Sequence, residues 1–266
     1  MLSKNCADYS NYSDYADDSD RLSLEHPNHN DRGDRHDYTD RSTQTINKAL
    51  VKRVREHVNP LSDKYREPTP APDWEQVYGD WSKPLSLDIG CGKGGYVLEM
   101  AKLYPDRNWL GLEIREPLVH RAIALKNSLM DECDLSNLHY LFCNVNVTLP
   151  SLLPAGKIHQ VSILFPDPWF KRRHKKRRVV QPELVTSLTN LLVPDAEILL
   201  QSDIEEVATS MREVFEANPN FVNQAGIDNF ASASLYPEHV MTEREEWTIS
   251  QAKPVYRAYL KFKPIN

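Results

Sequence analysis

The four cysteines are scattered. Cys6, Cys91, Cys133 and Cys143 form no CxxC pair and have no histidine at zinc-like spacing. This argues against a metal site or a disulfide framework and fits a reduced, cytoplasmic protein. No apolar run approaches the length needed to span a bilayer, and the N-terminus is polar where a secretory signal needs an apolar stretch. Membrane and secreted readings are set aside, and no internal repeat is found. Residues 1–44 have almost no aliphatic side chains. They cannot bury enough surface to offset the entropy of ordering, so a disordered tail is expected there.

That tail also distorts the charge. The chain carries a formal net charge of −6, but residues 1–44 hold ten acidic against five basic residues, which leaves the body at about −1. With 266 residues, 40% of them hydrophobic, one full-sized core plus appendages is the natural expectation. After the tail, residues 45–84 read as a basic segment, Lys48 to Val58, whose apolar and basic residues can share a helix, followed by a linker holding Pro60, Pro68, Pro70 and Pro72.

Residues 85–266 read as the catalytic domain. Strand-length apolar runs alternate there with stretches of helical period, the pattern of a parallel sheet with crossover helices. Strands are expected at Leu85 to Ile89, Trp109 to Ile114, His139 to Phe142, Gln160 to Phe165, Glu197 to Gln201 and Val255 to Phe262. Helices are expected at Tyr96 to Tyr104, Pro117 to Met130, Glu183 to Leu192 and Ile204 to Ala217. Asp203 and Glu206 have the spacing of a capping box for the last of these.

LSLDIGCGKGG places Gly90, Gly92 and Gly95 after a strand and before a helix, where missing side chains let the backbone approach a ligand. The glycines alone also satisfy a dinucleotide fingerprint, with Glu113 near the spacing of a ribose-binding acid, so NAD stays open at this point. Asp88 favours a different ligand. A carboxylate directly before the turn would repel a pyrophosphate but suits S-adenosylmethionine, which has a sulfonium and an amino group and no phosphate. Glu113 would then accept from the ribose hydroxyls. The bland alternative for Asp88 is a turn tied down through backbone amides.

A second constellation follows the fourth expected strand. QVSILFPDPWF stops at Pro166 and holds Asp167 between two prolines, at the strand end where ligands of open α/β sheets bind. An isolated Asp-Pro is usually only a turn; this one adjoins Trp169 and KRRHKKRR, Lys171 to Arg178, with seven basic residues of eight. Such density is a footprint for a phosphate backbone. Lying inside the fold, it would deliver a polyanion to the mouth of the pocket.

FPDPWFKRRHKKRR, with LDIGCGKGG and GLEIR before it and MTEREEW and PVYRA after it, resembles the tRNA (guanine-N7)-methyltransferases of the bacterial single-chain type, over roughly Leu85 to Phe262. The resemblance implies a Rossmann-like, class I S-adenosylmethionine-dependent fold. Its sheet would be mostly parallel and seven-stranded, with helices on both faces and an antiparallel C-terminal strand. It also implies that Asp88, Gly90, Gly92, Glu113, Arg115, Asn144 and Asp167 contact S-adenosyl-L-methionine, with Asp167 the catalytic residue. Lys171, Asp203, Thr242, Arg244 and Glu245 would bind substrate, the guanine of the tRNA variable loop. The expected partner is tRNA, with no metal and no membrane, for a monomer or homodimer. Departures from the family pattern include Asp88 where many members have Glu, and Asn144 where many bacterial ones have Asp. Methylation of another amine, in rRNA or protein, and a noncatalytic RNA-binding role on the same fold are the competing readings.

Overall fold

Each expected strand and helix from Leu85 onward becomes an element, in a computed structural model that describes residues 57–232 and 240–265. The tail read over 1–44 and most of the basic segment lie outside the described residues. A short α1 (Trp74–Val77) leads into β1 (Leu85–Ile89), α2 (Gly95–Leu103), β2 (Asn108–Glu113), α3 (Glu116–Leu129), β3 (Leu138–Phe142) and α4 (Val145–Leu152). The second half runs β4 (Ile158–Leu164), α5 (Pro182–Leu191), β5 (Leu192–Ser202), α6 (Glu205–Glu216), β6 (Phe221–Asn223), α7 (Glu243–Ser250) and β7 (Tyr256–Phe262). One seven-stranded sheet has the order β3-β2-β1-β4-β5-β7-β6. The first five strands pair in parallel, and β7 runs antiparallel to both β5 and β6.

Residues facing both sides of β1 and β2 are buried, as a parallel sheet covered on both faces demands. Leu85, Leu87, Leu110, Ile158, Val161, Ile163 and Ile198 form the centre of the core. The chain winds outward from β1 in one direction and from β4 in the other, so the strand order reverses between them. A crevice opens at the carboxyl ends of β1 and β4, the switch point where such sheets bind ligands.

The proline-rich stretch read as a linker is packed over much of its length. Trp74, Tyr78 and Trp81 stack on one another with centroids 5.4–5.9 Å apart. Trp74 donates to the Leu152 carbonyl at 3.0 Å and Tyr78 to that of Trp109 at 3.0 Å. Aromatic side chains in the sequence around the prolines carry this packing.

The capping box expected at Asp203 is not formed. Ile204 occupies the N-cap without a side-chain bond, its amide donates to the Ser202 hydroxyl at 3.1 Å, and Asp203 and Glu206 both bind cations instead. Charge-assisted partners win over two neutral amides. Four elements had no counterpart in the sequence reading: α1, α4, β6 and α7.

Candidate active site

The turn after β1 is built as its glycines require. Gly90 and Gly92 adopt φ of 84° and 58°, and a Cβ on either would meet nothing within 4 Å. The open space in front of them is a cradle for a ligand. Gly94, which sequence reasoning passed over in favour of Gly95, is the tightly packed glycine. Its φ is 82°, and a Cβ there would lie 2.6 Å from the Tyr140 ring and 2.8 Å from Ala122. Any side chain there would force Tyr140 or Ala122 to shift, whereas a Cβ on Gly95 would meet nothing within 4 Å.

Asp88 is the penultimate residue of β1, beneath the turn. It is buried, and Ser162 of β4 donates its hydroxyl to Asp88 Oδ1 at 2.6 Å. Burial pushes the Asp88 pKa up to about 7, against the Ser162 hydrogen bond and with a smaller contribution from Glu113. Ser162 carried no signal in the sequence beyond its place in an apolar strand.

Glu113, at the end of β2, is equally buried. Its carboxylate accepts from the Gly92 amide at 3.0 Å and the Arg115 amide at 2.8 Å, so it ties the glycine turn to the β2 end. Arg115 folds back and donates from Nε at 2.9 Å and Nη2 at 3.2 Å. The guanidinium thus covers the Glu113 carboxylate.

These ends converge on a cavity of about 120 Å³ whose lining includes Gly90, Glu113, Arg115, Asn144, Asn146 and Asp167. Asn146 Oδ1 is buried there with no hydrogen-bond partner among the described residues, an acceptor that a ligand donor would satisfy. Asn144 lines the cavity and also fastens the chain before the sheet. Its Nδ2 donates to the carbonyls of Pro60 and Tyr65, at 3.1 Å each, which leaves Oδ1 as its acceptor. The cavity is smaller than the roughly 300–1,000 Å³ usual for ligand pockets, and Arg115 is among the residues that line it.

The loop after β4 holds Asp167 in a strained frame. Phe165 and Trp169, on either side of Pro166-Asp167-Pro168, have φ of 48° and 42°, conformations that cost non-glycine residues about 1–3 kcal/mol each. Trp169 is flanked by the Arg177 guanidinium at 5.0 Å and by the edge of His174 at 5.8 Å. Buried Arg178 ties the loop down from below, donating to the Pro168 carbonyl at 2.9 Å and to Glu206 at 2.9 Å. Asp167 is itself contacted by His57, whose Nδ1 lies 2.9 Å from Oδ1.

The residues expected to bind substrate form two groups. Lys171 is exposed at the start of the basic turn, whose residues Arg172–Arg177 coil as a 3-10 helix. Asp203 and Arg244 pair at 2.6 Å, and Thr242 caps α7 by accepting from the Glu245 amide at 3.0 Å. Glu245 points inward instead: it is buried and bridged to Arg257 at 2.5 Å, holding α7 on β7. Lys93 of the glycine turn reaches Glu243 at 3.0 Å, which joins this group to the cavity rim. Among the described residues no cluster could hold a metal, and no helix is long and apolar enough to cross a membrane.

A doubly wound sheet, a glycine turn bracketed by two buried carboxylates and an acidic loop at the switch point define an S-adenosylmethionine-dependent methyltransferase. A family model described as "putative methyltransferase" matches residues 82–258. The tRNA (guanine-N(7)-)-methyltransferase of Microcystis aeruginosa is 49% identical over 214 residues, covering 79% of this chain and 98% of its own. That of Synechocystis sp. is 50% identical over 214 residues, covering 80% and 98%. The chain belongs to the tRNA (guanine-N7)-methyltransferase family. The crystal structure of the 16S rRNA methyltransferase KamB superposes with a TM-score of 0.51 at 18% identity, covering 75% of this chain and 99% of that one, a likeness of fold alone.

Proposed function

We propose that the chain methylates N7 of the guanine in the tRNA variable loop, with S-adenosyl-L-methionine as donor and Asp167 as the residue that holds the base. The observation that carries this reading is that Glu113 and Asp167, from the ends of β2 and β4, line one cavity with the basic turn directly following. The cofactor supplies a sulfonium methyl group that guanine N7 accepts through its lone pair. N7 carries no proton in guanine, so no general base is needed and the protein's work is alignment.

Asp88 offers a negative charge beneath the turn, Glu113 takes the ribose hydroxyls once Arg115 swings away, and the Asn144 and Asn146 oxygens face a donor group. Asp167 accepts from the Watson–Crick edge of guanine and so sets the direction of N7. Lys171 and the exposed arginines after it hold phosphates, while Asp203, Thr242 and Arg244 flank the substrate. Glu245 serves this group by anchoring α7. Acting on tRNA, the enzyme works in the cytoplasm.

The test is methyl transfer from labelled S-adenosylmethionine to two tRNA transcripts, one with the variable-loop guanine and one substituted there, with the modified base mapped. Methyl at N7 of that guanine alone is expected. Asp167→Ala should reduce turnover by about 100-fold or more, the cost of losing alignment at the reacting atoms, while cofactor affinity stays within a few-fold. Transfer to neither transcript by the wild-type enzyme would reject tRNA as acceptor, and near-normal turnover by the variant would reject the role of Asp167.

A further inference from the structure

The family match begins at residue 82, yet the cavity is closed by residues that precede it. Val58 and Pro60 form part of its lining. One residue earlier, His57 meets Asp167 at 2.9 Å and lays its ring near Trp169, with centroids 5.9 Å apart and planes inclined at 50°. Trp169 is itself fixed by Arg177 and His174. The imidazole therefore lies between the Asp167 carboxylate, within ion-pairing distance, and an aromatic wall.

The arm that carries His57 is fastened to the sheet at several points. Both Asn144 bonds go to it, at Pro60 and Tyr65. Thr69 donates its hydroxyl to the Phe142 carbonyl at 3.0 Å and its amide to the Thr148 hydroxyl at 3.2 Å. Lys64 pairs with Glu116 at 3.2 Å. An ionised Asp at position 144 has no proton to donate and would oppose two carbonyl oxygens, so the amide is what makes this latch possible.

Asp167 needs such help. Its backbone is restricted by two prolines, but its side chain is 35% exposed, and His57 is its one ion-pair partner among the described residues. Misplacement of a reacting group by about 1 Å can cost about 100-fold in rate. A carboxylate accepts at both oxygens, and among the described residues Asp167 Oδ2 has no hydrogen-bond partner.

We propose that His57 is a positioning residue for methyl transfer: its Nδ1–H fixes the Asp167 carboxylate, from an arm latched by Asn144, and leaves the other oxygen for guanine. The working unit then begins before the sheet, at His57. This inference rests on Asp167 holding the guanine.

Full-length His57→Phe, His57→Ala and His57→Asn are compared with wild type in steady-state transfer to the tRNA transcript, with thermal midpoints recorded. Phe keeps a ring against Trp169 without a donor, whereas Asn places an amide N–H near the Nδ1 position. The Phe and Ala variants should lower kcat by about 10- to 100-fold while KM for the cofactor stays within about twofold, and Asn should recover most of the loss. At saturating cofactor, combining His57→Ala with Asn144→Asp should cost no more in kcat than the worse single change. Wild-type kcat in the Phe variant would overturn the proposal, and so would a rise in kcat on removal of the side chain. Asp167→Ala, assayed alongside, separates the two levels. If it retains turnover, the reading of Asp167 fails; if it collapses while the Phe variant is intact, only the role of His57 fails.

Discussion

Asp88 and Ser162 are cross-strand partners, the one near the end of β1 and the other within β4, and their 2.6 Å hydrogen bond spans the point where the strand order reverses. The sheet's topology thus sets a carboxylate under the glycine turn, buried beside a hydroxyl neighbour. Burial is the largest influence on that carboxylate and holds its pKa at about 7, far above an ordinary aspartate.

A cationic cofactor above the turn should therefore bind with a pH dependence of known sign. A nearby positive charge favours ionised Asp88, so binding draws the pKa down and releases a proton. Affinity should rise as pH climbs through about 7, by about tenfold between roughly pH 6 and pH 8 if ionisation is complete in the complex. Calorimetry in two buffers of different ionisation enthalpy would read both the affinity and the proton. Asp88→Asn should flatten the profile. The same raised pKa means that the folded state loses stability as pH rises from the unfolded value of about 4 toward 7, so the Asn variant should also melt higher than wild type at about pH 8. A flat wild-type profile would uncouple Asp88 from the cofactor.

Glu113 and Arg115 are separable because their roles differ. Glu113→Gln removes the charged acceptor of two backbone amides and of the expected ribose hydroxyls. Hydrogen bonds to a charged group contribute about 1.5–3 kcal/mol, so cofactor affinity should fall on the order of 10- to 100-fold. Arg115→Ala should change affinity only a few-fold, since the cofactor gives up one partner but meets a carboxylate that is already uncovered. Equilibrium dialysis of both variants checks this, and a loss in Arg115→Ala as large as that in Glu113→Gln would make the ion pair itself the binding unit.

Much of this was legible because period and motif are local properties. The parallel strands, the glycine turn and the acidic loop each lie within a short stretch whose apolar spacing or turn chemistry is readable. The remainder depends on partners distant in the chain. Ser162 gains meaning only from its register with Asp88, and Gly94 only from Tyr140 and Ala122 packing over it. The capping box failed at Asp203 because Arg244, 41 residues on, offered a stronger partner. α4 contains Pro150 and two valines, and α7 is largely charged, so neither shows a clean helical stripe. Asn144, readable as a conservative departure from Asp, has a donor's role that only the position of Pro60 and Tyr65 reveals.

The basic turn, uniform in sequence, divides into two groups in space. Lys171, Arg172, Arg173 and Lys176 are exposed, with no acidic partner among the described residues. Lys175 and Arg178 both spend their charge on Glu206, and Arg178 is buried under the Asp167 loop. Neutralising the first four should weaken tRNA binding and reduce the slope of log affinity against log salt by about 0.7–0.9 for each phosphate that is no longer neutralised. Arg178→Ala should leave that slope unchanged, because its guanidinium meets no phosphate. It should instead lower kcat and the thermal midpoint, since the buried guanidinium also donates to the Pro168 carbonyl and holds the loop from below, while its pairing with half-exposed Glu206 is screened by solvent. Filter binding across a salt series, with melting curves of the same proteins, distinguishes the two. If Arg178→Ala flattened the slope as the exposed substitutions do, the turn would act as a single phosphate-binding patch and Arg178 could not be assigned to anchoring the loop.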